Sequence, residues 1–149
     1  MSLRVLFING PNANLYGQAG QAVYGAETFE QLGERCQVTA LSLGIELDFR
    51  QSNSEGGMID AIQQAIATTD GLIINGAGLT YTSIAVLDAL QAYPKPIVEV
   101  HMSNIYRREP FRHFSYISRA STGIIAGLGA DGYELAVHAV HRLIGKAQG

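Results

Sequence analysis

The sequence predicts an α/β fold, a three-layer sandwich built around a five-stranded parallel sheet. Three observations predict it. Short apolar or β-branched runs alternate along the chain with helical patterns, which is how right-handed βαβ units read in sequence. The runs "VLFI", "GLIIN" and "GIIAG" are continuously apolar, as expected of strands covered on both faces. Polar residues gather just behind each of the first four strands, where open α/β sheets form their ligand crevice. Five such strands imply the flavodoxin-like order 2-1-3-4-5, in a single domain over residues 1–149.

The first strand, Leu3–Ile8, runs into Asn9-Gly-Pro-Asn12, a tight turn by composition. Its asparagines either serve the turn or face the crevice, where they can hold a water or steady a developing enolate oxygen. Next comes "LYGQAGQAVYG" (15–25), with three glycines, no charge and a tyrosine near each end. It is poorly suited to packing. A helix over 28–43 follows, with Thr28 and Gln31 at capping-box spacing and Gly44 as its stop.

The second strand, Ile45–Arg50, leads into the polar stretch Gln51-Ser-Asn-Ser-Glu55 and a helix over 55–68. The third, Gly71–Asn75, is followed by Thr80–Ser83 and a helix over 82–92, whose apolar face Asp88 interrupts. Asp88 reads as helix surface or as a contact to a neighbouring subunit. The fourth strand, Pro96–His101, carries Glu99-Val-His101, two residues apart and so on one face. A carboxylate beside an imidazole orients it and favours its protonation, which suits His101 to general-acid work; a structural pair at a sheet end is the equal alternative.

Arg107, Arg108, Arg112 and Arg119 fall within thirteen residues of a chain that has only two lysines. A solvated charge cluster is the common fate of such a run, but "REPFRH" sets it beside a proline and a phenylalanine, which favours anion binding or a subunit contact. The fifth strand, Gly123–Ala126, precedes a helix over 131–146, with Asp131 and Glu134 at capping-box spacing. Gly127-Leu-Gly-Ala-Asp-Gly132 matches a dinucleotide fingerprint, yet no further strand or distant acidic residue follows. It reads as a tight turn. His138 and His141 lack a third ligand at suitable spacing, and Cys36 reads as core.

Composition narrows the function further. A net charge of −3 and a pI near 5.7 argue against a nucleic-acid partner. One cysteine excludes an internal disulfide or cysteine-rich metal site, and no apolar stretch reaches the ~20 residues of a membrane span. A cytoplasmic protein is expected, with no membrane partner. Only 15% of residues are charged against 47% hydrophobic, which points to a surface partly covered in a homo-oligomer.

Taken in order, "INGPNANLYG…VYG", "DFRQSNSEGGMIDAI", "IINGAGLTYTSIAVLDAL", "VEVHMSN" and "REPFRHFSY…GIIAGLGADGYELA" resemble the type II 3-dehydroquinate dehydratases over nearly the whole chain. The resemblance implies a cofactor-free and metal-free hydro-lyase of the shikimate pathway or of quinate breakdown. The family assembles as dodecamers built from trimers. Its members convert 3-dehydroquinate to 3-dehydroshikimate by anti elimination through an enolate. The 15–25 segment matches the family's lid, and Tyr24 its base, acting as tyrosinate. Asn12 matches the residue that steadies the enolate through water, and His101 with Glu99 the acid. Asn75, Met102, Ser103 and Arg112 match groups that hold the substrate's carboxylate and hydroxyls. Arg108 matches the signature arginine, and Asp88 a carboxylate that reaches a neighbouring subunit's site.

The departures are specific. Ala19 stands where the lid usually carries an arginine, Gln21 where it has a proline, and Tyr16 where an aliphatic residue is usual. Ser54 stands where relatives often have histidine, and Tyr81 replaces a substrate-binding histidine. A tyrosine base near neutral pH needs its pKa lowered by roughly two to three, and one cation supplies about one to three. With Arg112 as the remaining close cation, the expectation is a weaker dehydratase with a raised optimum pH. Two other readings stand beside it: a paralogue acting on a related polyhydroxy carboxylate, and a non-catalytic binding assembly.

Overall fold

Seven residues of the chain's start, Leu3–Asn9, form β1, the second of five parallel strands in a sheet of order β2-β1-β3-β4-β5. The computed structural model describes residues 2–18 and 22–148. The other strands are β2 (Ile45–Gln51), β3 (Gly71–Asn75), β4 (Ile97–His101) and β5 (Gly123–Ala126), joined by α1 (Phe29–Ser42), α2 (Glu55–Thr68), α3 (Ile84–Gln91) and α4 (Gly129–Gln148). The predicted order is the observed one.

Strand periodicity divides the core in two. Val5 and Phe7 of β1 face α1 and α4, with Leu32, Cys36, Tyr133 and Val137. Leu6 and Ile8 face α2 and α3, with Met58, Ile62, Val86 and Leu90. Burial of Cys36 pushes its thiol up to about 12, so it is inert core. The register sets Asn9 opposite both Gln51 and Asn75, so the C-terminal ends of β2, β1 and β3 lie level. Gly10 hydrogen-bonds the Asn75 carbonyl at 2.8 Å, and a Cβ there would meet the Gly76 oxygen at 2.5 Å. Only glycine permits that approach.

Local signals hold where nothing competes with them. Thr28 and Gln31 form the full capping box, and Gly44 ends α1 at φ +72°. Asp131 and Glu134 do not cap α4, which begins at Gly129. Both carboxylates bind Arg35 of α1 instead, together with Glu27. The predicted third helix is shorter than 82–92, because Ser83 is its cap: the hydroxyl accepts from the Val86 N–H at 2.9 Å. "GIIAG" is not covered on both faces. It forms an edge strand, with Ile124 half exposed.

Candidate active site

The parity of β4 places Ile97, Glu99 and His101 on the α2/α3 face of the sheet. Glu99 and His101 are both buried, and His101 Nε2 lies 2.5 Å from Glu99 Oε2. Ser115 donates to the same carboxylate oxygen at 2.9 Å, and Ser118 to Oε1 at 2.5 Å. Burial by itself would raise the Glu99 carboxyl, but the hydrogen bonds and charge of His101, with Ser118 and Ser115, hold it below the usual carboxylate range. A buried carboxylate with three donors keeps its charge and fixes the imidazole.

The tyrosines of the 15–25 segment arrive from the opposite face. Tyr24 is half-buried and packs on the α1/α4 core. Its hydroxyl accepts from Arg108 Nη1 at 3.0 Å, and the guanidinium lies 5.3 Å from the ring centre. The Tyr16 ring meets the Tyr24 ring at 4.7 Å. Tyr16 itself is buried, and burial pushes its phenol up to about 12 against the hydrogen bond from Asn75. It cannot supply a tyrosinate near neutral pH. Of the two loop tyrosines, only Tyr24 has a cation at its hydroxyl among the described residues.

Arg108 bridges the two sides, since the same Nη1 donates to Ser103 Oγ at 3.3 Å, two residues past His101. This changes one expectation: the cation beside Tyr24 is Arg108. Arg112 lies over the Tyr81 ring at 5.6 Å, and Tyr81 stacks near His101 at 6.2 Å between ring centres. Burial raises the Tyr81 phenol, with Arg112 opposing. Tyr81 thus occupies a place beside the imidazole. Met102 and Ser103 are buried at the end of β4; Met102, Ser103, Tyr24 and Arg108 line part of a groove of about 540 Å³.

The other site residues are placed with less company. Asn12 is exposed in a left-handed conformation, φ +70°, and its N–H donates to Asn53 Oδ1 at 3.0 Å. Asn75 is buried and gives both amide hydrogens away, to Tyr16 OH at 2.8 Å and Tyr133 OH at 2.7 Å. Asp88 is exposed on α3, and its carboxylate has no hydrogen bond or ion pair among the described residues. The expectations on Ala19 and Gln21 lie outside the described residues. Among the described residues, no three His, Cys, Asp or Glu side chains are placed to hold a metal, and His138 lies exposed on α4.

Reading the sequence missed Ser115 and Ser118, which hold Glu99, and Tyr133, which links Asn75 to Asn9. The serines stand three apart in "FSYIS", a spacing that marks one side of a turn but names no partner.

The profile described as "Dehydroquinase class II" matches residues 3–141. The chain belongs to the class II dehydroquinases. A 3-dehydroquinate dehydratase of Gloeobacter violaceus is 50% identical over 93% of this chain and 87% of its own length. One of Tolumonas auensis is 47% identical, over 93% and 91%. The crystal structure of the type II dehydroquinase from Propionibacterium acnes superimposes with a TM-score of 0.91 at 40% identity, covering 95% of this chain and 98% of that one. Membership of the class II dehydroquinases and the paired Glu99–His101 and Arg108–Tyr24 contacts thus coincide in one chain.

Proposed function

We propose that this chain is a 3-dehydroquinate dehydratase, a hydro-lyase that eliminates water from 3-dehydroquinate to give 3-dehydroshikimate through an enolate. The observation that carries the reading is the pairing at one sheet end of a carboxylate-held imidazole with a tyrosine hydroxyl bound by a guanidinium. Tyr24, as tyrosinate, takes the proton next to the ketone, and the electron pair moves onto the ketone oxygen. Asn12, through a water, steadies that oxygen. The enolate then collapses, expelling the hydroxyl, which leaves as water with a proton from His101. With Nε2 engaged by Glu99, Nδ1 is the nitrogen that gives this proton.

Arg108 donates to the Tyr24 hydroxyl and so fixes the place of the proposed base. It supplies the cation where position 19 is alanine. Ser103, the backbone at Met102, Tyr81 and Arg112 take the substrate's carboxylate and hydroxyls, with Asn75 behind them. No cofactor is needed for this chemistry. We propose further that the protein works in the cytoplasm as a dodecamer of trimers, with Asp88 reaching a neighbouring site; exposed Val38, Leu41, Ile84, Phe111 and Phe114 support coverage by other subunits. No helix among the described residues is long and apolar enough to cross a membrane.

The test is a continuous assay for the conjugated enone after adding 3-dehydroquinate, beside the double variant Ala19→Arg/Tyr81→His. Turnover by the unmodified chain supports the reading. Turnover by the double variant alone favours a second reading, a relative acting on another polyhydroxy carboxylate. The prior use of both Asn75 amide hydrogens and the tyrosine at 81 are what favour that alternative.

A further inference from the structure

The Tyr16 side chain is joined to the body of the protein in a way Tyr24 is not. Its hydroxyl accepts from Asn75 at the end of β3; the same Asn75 nitrogen donates to Tyr133 of α4. Tyr133 OH donates to Asn9 Oδ1 at 2.6 Å, and Asn9 Nδ2 donates to the Arg50 carbonyl at 3.0 Å. A hydrogen-bonded line therefore runs from Tyr16 through β3, α4 and β1 to β2. Every side chain along it that gives or takes a bond is buried, so its geometry is fixed by the cost of leaving any member unpaired. The backbone is tied too: Tyr16 N–H donates to the Ala13 carbonyl at 3.1 Å. Just beyond it Gly17, at φ +82°, lies so near the Glu27 backbone that a Cβ would fall 2.7 Å from the Glu27 oxygen.

Tyr24 has no such line. Its hydroxyl bonds only to Arg108 among the described residues, and its ring lies against the ring of Tyr16, tilted by 34°. An aliphatic side chain at 16 would fill the space but offer neither a ring face nor a hydroxyl for Asn75.

We infer that Tyr16 is a positioning residue for the proton-abstracting tyrosine, a rigid ring platform, pinned through Asn75, that sets the angle at which Tyr24 meets its substrate. The inference rests on the assignment of Tyr24 as base. Tyr16 is buried and its hydroxyl is taken by Asn75, so it acts through the ring it presents to Tyr24. Small errors in such alignment are costly, about 100-fold for a displacement near 1 Å.

The experiment compares Tyr16→Phe with Tyr16→Leu in the intact protein, reading kcat and KM for 3-dehydroquinate and the aromatic NMR resonances of Tyr24, assigned with Tyr24→Phe. In Tyr16→Leu, kcat is expected to fall about 10- to 100-fold with KM nearly unchanged, and the Tyr24 ring shifts to lose the imprint of the neighbouring ring. In Tyr16→Phe, which keeps the ring and loses only the bond from Asn75, kcat recovers most of that loss and the Tyr24 shifts stay nearer those of the parent than in Tyr16→Leu. Wild-type kcat in Tyr16→Leu with unchanged Tyr24 shifts overturns the inference; so does a Tyr16→Phe as damaged as Tyr16→Leu. A parent protein that does not turn over 3-dehydroquinate overturns the dehydratase reading alone, and the Tyr24 spectra then decide the platform. Should Tyr16→Leu fail to fold, Tyr16→Met makes the same comparison.

Discussion

The two sides of the candidate active site are built by opposite means. On the α2/α3 face, Glu99 and His101 sit on a buried strand, and the carboxylate takes three side-chain hydrogen bonds. On the α1/α4 face, Tyr24 comes from a loop, half-buried, and among the described residues its side chain is held by a hydrogen bond and a ring contact from Arg108 and by the Tyr16 ring. The proposed acid is held as part of the fold. The proposed base is held as a loop residue, by a cation and a neighbour. The difference teaches that stability and activity should separate on one side of the site and travel together on the other.

The largest expected effect breaks the comparison on the loop side. Tyr24→Phe should lower turnover by about 10²- to 10⁴-fold, the range for a general base, while denaturant melts leave stability within about 0.5 kcal/mol. His101→Ala should lose activity on a similar scale and also cost about 1–3 kcal/mol of stability, because the buried Glu99 carboxylate loses one of its three donors and keeps only the two serine hydroxyls. Paired kinetics and urea melts check both; equal stability of the two variants would refute the contrast. Arg108→Ala comes next. Turnover should fall about 10- to 100-fold as Tyr24 loses the donor that fixes its hydroxyl.

A smaller effect concerns acid. The folded protein holds Glu99 below its ordinary value of 4.5, so the ion contributes stability that is present above that value and is lost as pH falls through the folded-state pKa. Relative to Glu99→Gln, the parent should therefore be less stable at pH 4 than at pH 7, which melts at the two pH values measure. The smallest effect is at Ala77, a left-handed alanine, φ +49°, between Asn75 and the Tyr81 turn. Relief of about 1–2 kcal/mol of strain exceeds the entropy that glycine adds to the unfolded chain, so Ala77→Gly should gain up to about 1 kcal/mol, read as a higher Tm.

The strands and their order were legible because short apolar runs, bounded by turn residues and alternating with helical patterns, fit a parallel sheet and little else. Caps were legible only where no distant group competed. The same spacing that correctly marks Thr28 and Gln31 misplaces Asp131 and Glu134, because Arg35, some 96 residues from Asp131 in sequence, takes both carboxylates. Within the site, Glu99 and His101 were legible as a pair because strand parity puts alternate residues side by side. Ser115 and Ser118, 16 and 19 residues from Glu99, were not, since nothing local says where a turn's hydroxyls will point. Arginine spacing likewise could not tell Arg108 from Arg112 as the partner of Tyr24; only the packed geometry separates them.

The two margins of the sheet differ in one further respect. Along β2, Glu46, Asp48 and Arg50 alternate outward, so a stray strand approaching that side meets charge at every second position. β5 carries no charge, is four residues long and leaves Ile124 half exposed. Its brevity is its main defence against templating another chain. A lone subunit newly made or diluted from denaturant therefore carries one adhesive margin. Protein concentration during refolding then becomes the variable that divides soluble product from precipitate.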